Sequence, residues 1–385
     1  MDFLVLPSVQ NQQISMGCDN KPSTERIGLD IVNRAYLLCK EYLQGPWAKI
    51  PLQDFEITPL GGGLTNKLYI CHLPPMYRSN DNESECPNTV LLRLYGLILQ
   101  DFKAQIQESV VFSILAERGL GPKLYAVFPG GRLEEYLPCR TLTTFDLSTH
   151  LSPLIAEKLS EYHRLSMPVK KDPTFIMNKL FVYMEKSRNT KFKDGVKQSF
   201  FMKFKAYDVE QEVEYVSDMI TNMNPVVVFC HNDVQEGNLL HTNRNDVPNP
   251  VQMIDFEYSS YNYRGFDIGN HFCEWMYDYS HSAWPFYSYK QENYPTRHQQ
   301  AVFVKSYLDS MYAAIPERKD DPLWHQDYVL QEANRLVLLS HLFWALWSVV
   351  QAQISDIGFG YLEYSLARMD AYYRHKKSLT EEDSV

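Results

Sequence analysis

The chain has 385 residues, 37 Lys and Arg against 47 Asp and Glu for a net charge of −10, and 45% apolar residues. That length suits two compact lobes, the balance is globular rather than disordered, and a net acidic chain without a long basic cluster is ill suited to nucleic acid or an anionic membrane. Its seven cysteines include no Cys-x-x-Cys pair, so neither a disulfide framework nor a zinc site is expected, and the reading is a cytoplasmic protein of the reducing cytosol.

The N-terminus, Met1-Asp2-Phe3-Leu4-Val5-Leu6-Pro7, lacks the basic segment and long apolar run of a secretory signal. Residues 1–25 are polar and aperiodic and read as a loose arm. Helical spacing follows from Gly28 to Leu43. Short apolar runs bounded by turn signals then predict strands at Phe55–Pro59, Lys67–Leu73, Val90–Tyr95, Lys123–Phe128 and Arg132–Leu137. A helix over Asp101–Arg118, closed by Gly119, interrupts them. Residues 26–138 therefore form a small lobe, sheet-dominated from about residue 50, and 139–385 a large one. In the large lobe helices are expected near 152–165, 200–222, 299–314, 326–352 and 360–376, with two short strands at Val226–Cys230 and Val251–Ile254. The apolar run Val337–Val350 contains His341 and is shorter than the ~20 residues of a membrane span, so it reads as a buried helix and stable membrane insertion is not expected.

Each of those two strands runs into a polar cluster. His231-Asn232-Asp233-Val234-Gln235-Glu236-Gly237-Asn238 has the H-x-D-x-x-x-x-N spacing of a kinase catalytic loop. There an Asp orients and deprotonates an attacking hydroxyl, and an Asn five residues on holds a magnesium ion. Asp255 in Ile254-Asp255-Phe256-Glu257 stands where a second oxygen ligand for such a cation is placed. A simple turn would account for His231–Asp233 alone, but not for Asn238 and Asp255 as well. In the small lobe, Arg93 on a strand and Glu108 on the following helix resemble the cation–carboxylate pair that clamps ATP phosphates. Gly61-Gly62-Gly63-Leu64-Thr65-Asn66-Lys67 offers bare backbone to phosphates but does not fit a P-loop.

The segment Asp255–Trp275, with Phe256-Glu257-Tyr258-Ser259-Ser260 and Arg264-Gly265-Phe266-Asp267-Ile268-Gly269-Asn270 inside it, resembles the choline/ethanolamine kinase family rather than protein kinases. With Cys230-His231-Asn232-Asp233-x-Gln235-Glu236-Gly237-Asn238 it covers that family's two diagnostic motifs, and the likeness runs from Gly62 to about Tyr373. Gln235-Glu236-Gly237 and Phe256–Ser260 resemble the choline branch.

The resemblance implies an α+β, eukaryotic protein-kinase-like bilobal fold and transfer of the ATP γ-phosphate to choline, with ethanolamine as the alternative acceptor. A catalytically silent binder of quaternary ammonium is a third reading. The likeness further implies Asp233 as base, Asn238 and Asp255 as magnesium ligands, and Arg93 as a neutralising cation. Gly62, Gly63, Leu64, Thr65, Asn66, Lys67, Arg93, Glu108, Gln235 and Asp255 would meet the nucleotide. The strand exit Glu134-Glu135-Tyr136-Leu137 and Arg140 would border adenine, by backbone rather than side chain, since relatives tend to carry other residues where Glu135 and Thr141 stand.

The 26 Tyr, 20 Phe and 6 Trp exceed ordinary needs. Trp344 and Trp347 share a helical face, as do Tyr361 and Tyr364 on the next helix. A quaternary ammonium has no N–H to donate, so π faces grip it. The resemblance turns these four residues, with Tyr258, Glu274 and Tyr279, toward a choline pocket, Glu274 balancing the charge. A homodimer and the first step of phosphatidylcholine synthesis are also implied.

Overall fold

The computed structural model describes residues 28–60, 66–78, 86–95, 102–242, 249–355 and 357–382. The predicted arm at 1–25 and the loop residues Gly62, Gly63, Leu64 and Thr65 lie outside the described residues. The chain divides into two compact units, one of described residues up to Thr141 together with Leu240–Glu257, the other of Leu142–Leu239 with the chain from Tyr258 onward.

The first unit opens with α1, Leu29–Tyr42, whose Ala35 and Cys39 are buried four apart on one face. Strands β1 (Glu56–Leu60), β2 (Asn66–His72) and β3 (Thr89–Tyr95) follow, then helix α2 (Phe102–Glu117), then β4 (Leu124–Phe128) and β5 (Gly131–Glu135). They form an antiparallel sheet of order β1-β2-β3-β5-β4. Alternation along β3 sends Val90, Leu92 and Leu94 into a core with Trp47, Cys71 and Leu133, and sends Arg93 to the opposite face. Strand β6 (Cys139–Thr141) pairs with β8 (Leu239–Thr242), which lies beside β9 (Val251–Met253). That small sheet, the Gln252 Nε2 bond to the Leu120 carbonyl at 2.5 Å and the ring contact between Phe112 and Phe256 join 240–257 to the first unit. A single cut after residue 138 puts the same segment in the other one.

The second unit is helical: α3 (Thr144–Leu147), α4 (Leu151–His163), α5 (Phe175–Arg188), α6 (Gly195–Phe204) and α7 (Val209–Met223) lead to β7 (Val227–Cys230). After the small sheet come β10 (Ser260–Tyr263), α8 (Arg264–Glu274), β11 (Tyr277–Asp278), β12 (Ser288–Tyr289), α9 (Arg297–Ala314), α10 (Gln326–Ile354) and α11 (Tyr361–Glu382). The single helix predicted over 200–222 is two. Asp208 accepts the Gln211 N–H at 3.2 Å and caps a new helix, and Asp194 caps α6 likewise. Helices α5 and α8 were not predicted; every residue of α8 is buried.

Helix α10 is long and apolar enough to cross a membrane. Its apolar faces are covered by α5, α8 and α11, so it forms the core of this unit. Two glycines permit the α8–α10 approach. A Cβ on Gly269 would stand 2.6 Å from the Ala333 carbonyl oxygen, and one on Gly265 would stand 2.8 Å from that of Glu332.

Candidate active site

In the first unit the expected Arg93–Glu108 pair is replaced by a four-residue chain. Arg93 Nη2 meets Glu134 Oε1 at 3.3 Å, Arg132 Nε meets Glu134 Oε2 at 2.5 Å, and Arg132 Nη1 meets Glu108 Oε1 at 2.9 Å. The sheet register explains the change. Arg93 and Arg132 lie directly opposite on β3 and β5, and two guanidiniums side by side repel. Glu134, on the same face of β5 as Arg132, sits between the two charges, and Glu108 takes the outer side. Burial acts to raise the Glu134 pKa, but the Arg132 and Arg93 charges and hydrogen bonds outweigh it and hold the carboxyl below its usual range.

Other residues expected at the nucleotide have local partners. Glu135 accepts the Lys123 N–H at 3.0 Å and donates its own N–H to the Lys123 carbonyl at 2.8 Å. Tyr136 stands edge-on to His72, Leu137 is buried, and Arg140 is exposed with Nη1 3.4 Å from the Thr141 carbonyl. Asn66 and Lys67 begin β2, with Lys67 exposed. Asp255 follows β9 with a left-handed backbone, φ 65°, a conformation costing on the order of 1 kcal/mol that collects at functional sites.

In the second unit β7 delivers the predicted catalytic loop. It pairs antiparallel with β10, Cys230 opposite Ser260, and β10 passes directly into α8. That connection sets α8 beside the loop. Asp267 accepts the N–H groups of His231 at 2.7 Å and Asn232 at 2.8 Å, and pairs with His163 Nε2 at 3.0 Å. Burial works to raise its pKa, but the His163 hydrogen bond and charge lead the opposing effects and hold it below the usual value. One turn on, His271 Nδ1 lies 3.0 Å from the Val234 carbonyl. Trp275 Nε1 donates to His271 Nε2 at 3.3 Å, which makes Nδ1 the protonated donor. Burial lowers the His271 pKa to about 4, so the ring is neutral. Asn232, with φ 67°, donates to the Tyr258 carbonyl at 2.8 Å and the Ser260 hydroxyl at 2.9 Å. These bonds aim the loop.

On that loop Asn238 Nδ2 donates to the Asp233 carbonyl at 3.0 Å and to its Oδ2 at 2.9 Å. Gln235, expected at the nucleotide, turns its Oε1 back to accept the Gly237 N–H at 2.8 Å and caps the short turn that carries Asn238.

The aromatic residues form a continuous run of rings. Tyr258–Trp344, Trp344–Trp347, Trp347–Tyr361, Tyr361–Phe359 and Phe359–Tyr364 have centroids 5.5, 5.4, 5.9, 5.0 and 5.7 Å apart. Tyr279 closes it, 6.0 Å from Tyr364. Trp344 is also pinned by its Nε1 bond to Asn270 Oδ1 at 2.8 Å. Tyr258 is a core residue as much as a wall, with Lys179 Nζ 5.0 Å from its ring centre and Phe343 edge-on to it. Phe359 escaped sequence reading because it sits in a loop without helical spacing.

Glu274 does not have the uncommitted charge expected of it. Its Oε1 is bound by Arg368 Nη2 and its Oε2 accepts the Tyr279 hydroxyl at 2.8 Å. Arg368 is fully buried, packs over the Tyr277 ring at 4.1 Å and donates through Nε to the Tyr364 hydroxyl at 2.8 Å. It was missed because its partner is 94 residues away. Glu236 was also missed. Burial, and next the Glu274 charge, push its carboxyl up to about 8; a cation beside it acts in the opposite direction.

The family model for choline/ethanolamine kinase matches residues 57–373. The chain belongs to the choline/ethanolamine kinase family. It is similar to a rat choline/ethanolamine kinase, 41% identical over 94% of this chain and 90% of that one. It is likewise similar to mouse choline kinase alpha, 42% identical over 90% of this chain and 81% of the other. Among solved structures, a choline kinase from Cryptosporidium parvum shares the fold with a TM-score of 0.71, at 24% identity over 91% of this chain and 97% of that one. The fold expected from the motifs, α+β and protein-kinase-like with a small sheet-bearing and a larger helical part, is the fold of this family member. Asp233 and Asn238 are hydrogen-bonded in the loop after β7, and Trp344, Trp347, Tyr361, Tyr364 and Tyr279 share one run of rings.

Proposed function

We propose that the chain is an ATP-dependent choline kinase that yields phosphocholine and ADP, acts in the cytoplasm at the first step of phosphatidylcholine synthesis, and works as a homodimer. The observation that carries the reading is the run of rings from Tyr258 to Tyr279 in the unit that also bears Asp233. Such a wall suits a methylated ammonium, with each good desolvated contact worth about 0.5–2 kcal/mol.

Asp233 orients the choline hydroxyl for in-line attack on the γ-phosphorus and accepts its proton late. Asn238 and Asp255 are hard oxygen donors suited to magnesium. The Asn238 amide fits this role: its nitrogen makes both bonds to Asp233, which leaves its oxygen for a cation. Magnesium, when bound, neutralises charge on the phosphates. Arg93, held by Glu134, adds a second positive charge. Most of the rate enhancement is then positioning and electrostatics.

The test is ADP release with ATP and magnesium across choline and ethanolamine, with and without EDTA. Choline turnover that exceeds ethanolamine turnover and stops with EDTA supports the reading. Preference for ethanolamine makes the protein an ethanolamine kinase. No release with either alcohol favours a silent binder.

A further inference from the structure

The net charge of −10 conceals a local excess of the opposite sign. Residues 186–205 hold seven Lys and Arg against one carboxylate, Asp194, a net +6. No two of the seven are adjacent, so they do not read as a basic run along the chain. All seven are exposed. Packing decides where they point. The rings of Phe192, Phe201, Phe204 and Tyr207 follow one another with centroids 5.4, 6.4 and 6.5 Å apart, and Tyr207 stacks on Tyr373 of α11. Those rings take one side of the segment into the core and leave the other outside. On the outer side of α6, Val196 and Met202 are 66% and 56% exposed, and Lys203, seven residues after Val196, shares its face.

The fold answers few of these charges. Arg188 pairs with Glu185 and Glu210, and Lys197 Nζ reaches the Ala352 carbonyl at 3.4 Å. Asp194 caps α6, accepting the Lys197 N–H at 2.8 Å. Among the described residues Lys186, Lys191, Lys193, Lys203 and Lys205 form no ion pair. Five such ammonium groups around two exposed apolar side chains match a surface that is anionic outside and apolar just beneath. A bilayer with anionic headgroups is that surface: it attracts each lysine and takes the apolar tips at the headgroup boundary. A phosphate polymer would meet the charges but has no place for Val196 and Met202. We infer that the outer face of α6, with the lysines that precede it, is a peripheral docking surface for an anionic lipid bilayer. Binding there is electrostatic and reversible and needs no spanning helix. Glu210, Glu214 and Asp218 of α7, which share a groove with Arg188, bound the surface on that side and turn away from the membrane. None of these residues belongs to the catalytic loop or the ring wall, so the inference does not depend on the acceptor.

The experiment is sedimentation of the full-length protein with vesicles of phosphatidylcholine, alone or carrying about 30% phosphatidylserine, at low and high salt. The wild type binds the phosphatidylserine vesicles at low salt, at least about tenfold more tightly than phosphatidylcholine alone, and high salt weakens it. The triple variant Lys191→Gln, Lys193→Gln, Lys203→Gln loses at least about tenfold in that binding. Replacing Lys170, Lys305 and Lys319, exposed elsewhere on the same unit, with Gln changes it little. ADP release by both triple variants stays at the wild-type rate, which shows that they are folded. Val196→Ser with Met202→Ser also weakens vesicle binding. Absence of phosphatidylserine-dependent binding in the wild type, or equal binding by the two triple variants, overturns the inference. So does polyuridylate binding as tight as vesicle binding with no effect of the Val196 and Met202 changes, which makes the patch a general polyanion site.

Discussion

Asn238 donates to both the main-chain carbonyl and the carboxylate of Asp233, at 3.0 and 2.9 Å, across a turn that Gln235 caps from within. Asp233 is therefore oriented by its own loop. Replacing it with Ala removes the proposed proton acceptor and leaves the loop's anchors to Asp267 and His271 in place. The kcat for choline should fall about 10²–10⁴-fold with little change in KM for ATP, checked by steady-state kinetics. Wild-type turnover in this variant would remove Asp233 from the mechanism.

Trp347 lies between Trp344 and Tyr361 and is only partly buried. It is the ring of that group best able to face a ligand. Trp347→Ala should lower kcat/KM for choline about 2- to 30-fold, the equivalent of one cation–π contact, and lower it less for ethanolamine. Equal losses on the two alcohols would assign Trp347 to packing.

Arg368 and Glu274 lie at 0% and 3% side-chain exposure. Removing one partner strands the other charge in the core. Arg368→Met should lower unfolding stability by about 3–5 kcal/mol, and adding Glu274→Gln should restore part of the loss. Urea titrations of the single and double variants measure this coupling.

Gly269 faces the Ala333 carbonyl with no room for a methyl group. Gly269→Ala should destabilise by about 1–3 kcal/mol or more by forcing α8 and α10 apart. Gly195, with nothing within 4 Å of the corresponding position, is the control, and Gly195→Ala should leave the melting temperature nearly unchanged.

One buried histidine, His271, and one half-buried, His375, predict acid sensitivity. Burial, partly countered by the Val234 hydrogen bond, lowers His271 to about 4; burial and then the Arg374 charge lower His375 to about 4. Both are neutral when folded, whereas the unfolded chain titrates near 6.5. Between pH 6.5 and 4 the unfolded state binds more protons, so stability is full above 6.5 and falls as pH drops through that window, by up to about 3 kcal/mol per ring. The urea midpoint should be clearly lower at pH 5 than at pH 7. An unchanged midpoint would mean that these rings are not buried in neutral form.

The contact between Asp233 and Asn238 was legible along the chain because the two are five residues apart, and a short turn brings such neighbours together whatever surrounds them. The helical faces of Trp344 with Trp347 and of Tyr361 with Tyr364 were legible for the same reason, since helix geometry is local. Phosphate-side electrostatics were not. The partner of Arg93 is Glu134, across a strand pairing, and not Glu108. The charge state around the rings depended on Arg368 reaching Glu274 across two helices. Short-range spacing thus carried the Asp233–Asn238 turn and the helical faces of the aromatic wall, and the family resemblance carried the fold class. Tertiary packing decided which charges cancel, because Coulomb energy and burial depend on distance in space rather than along the chain.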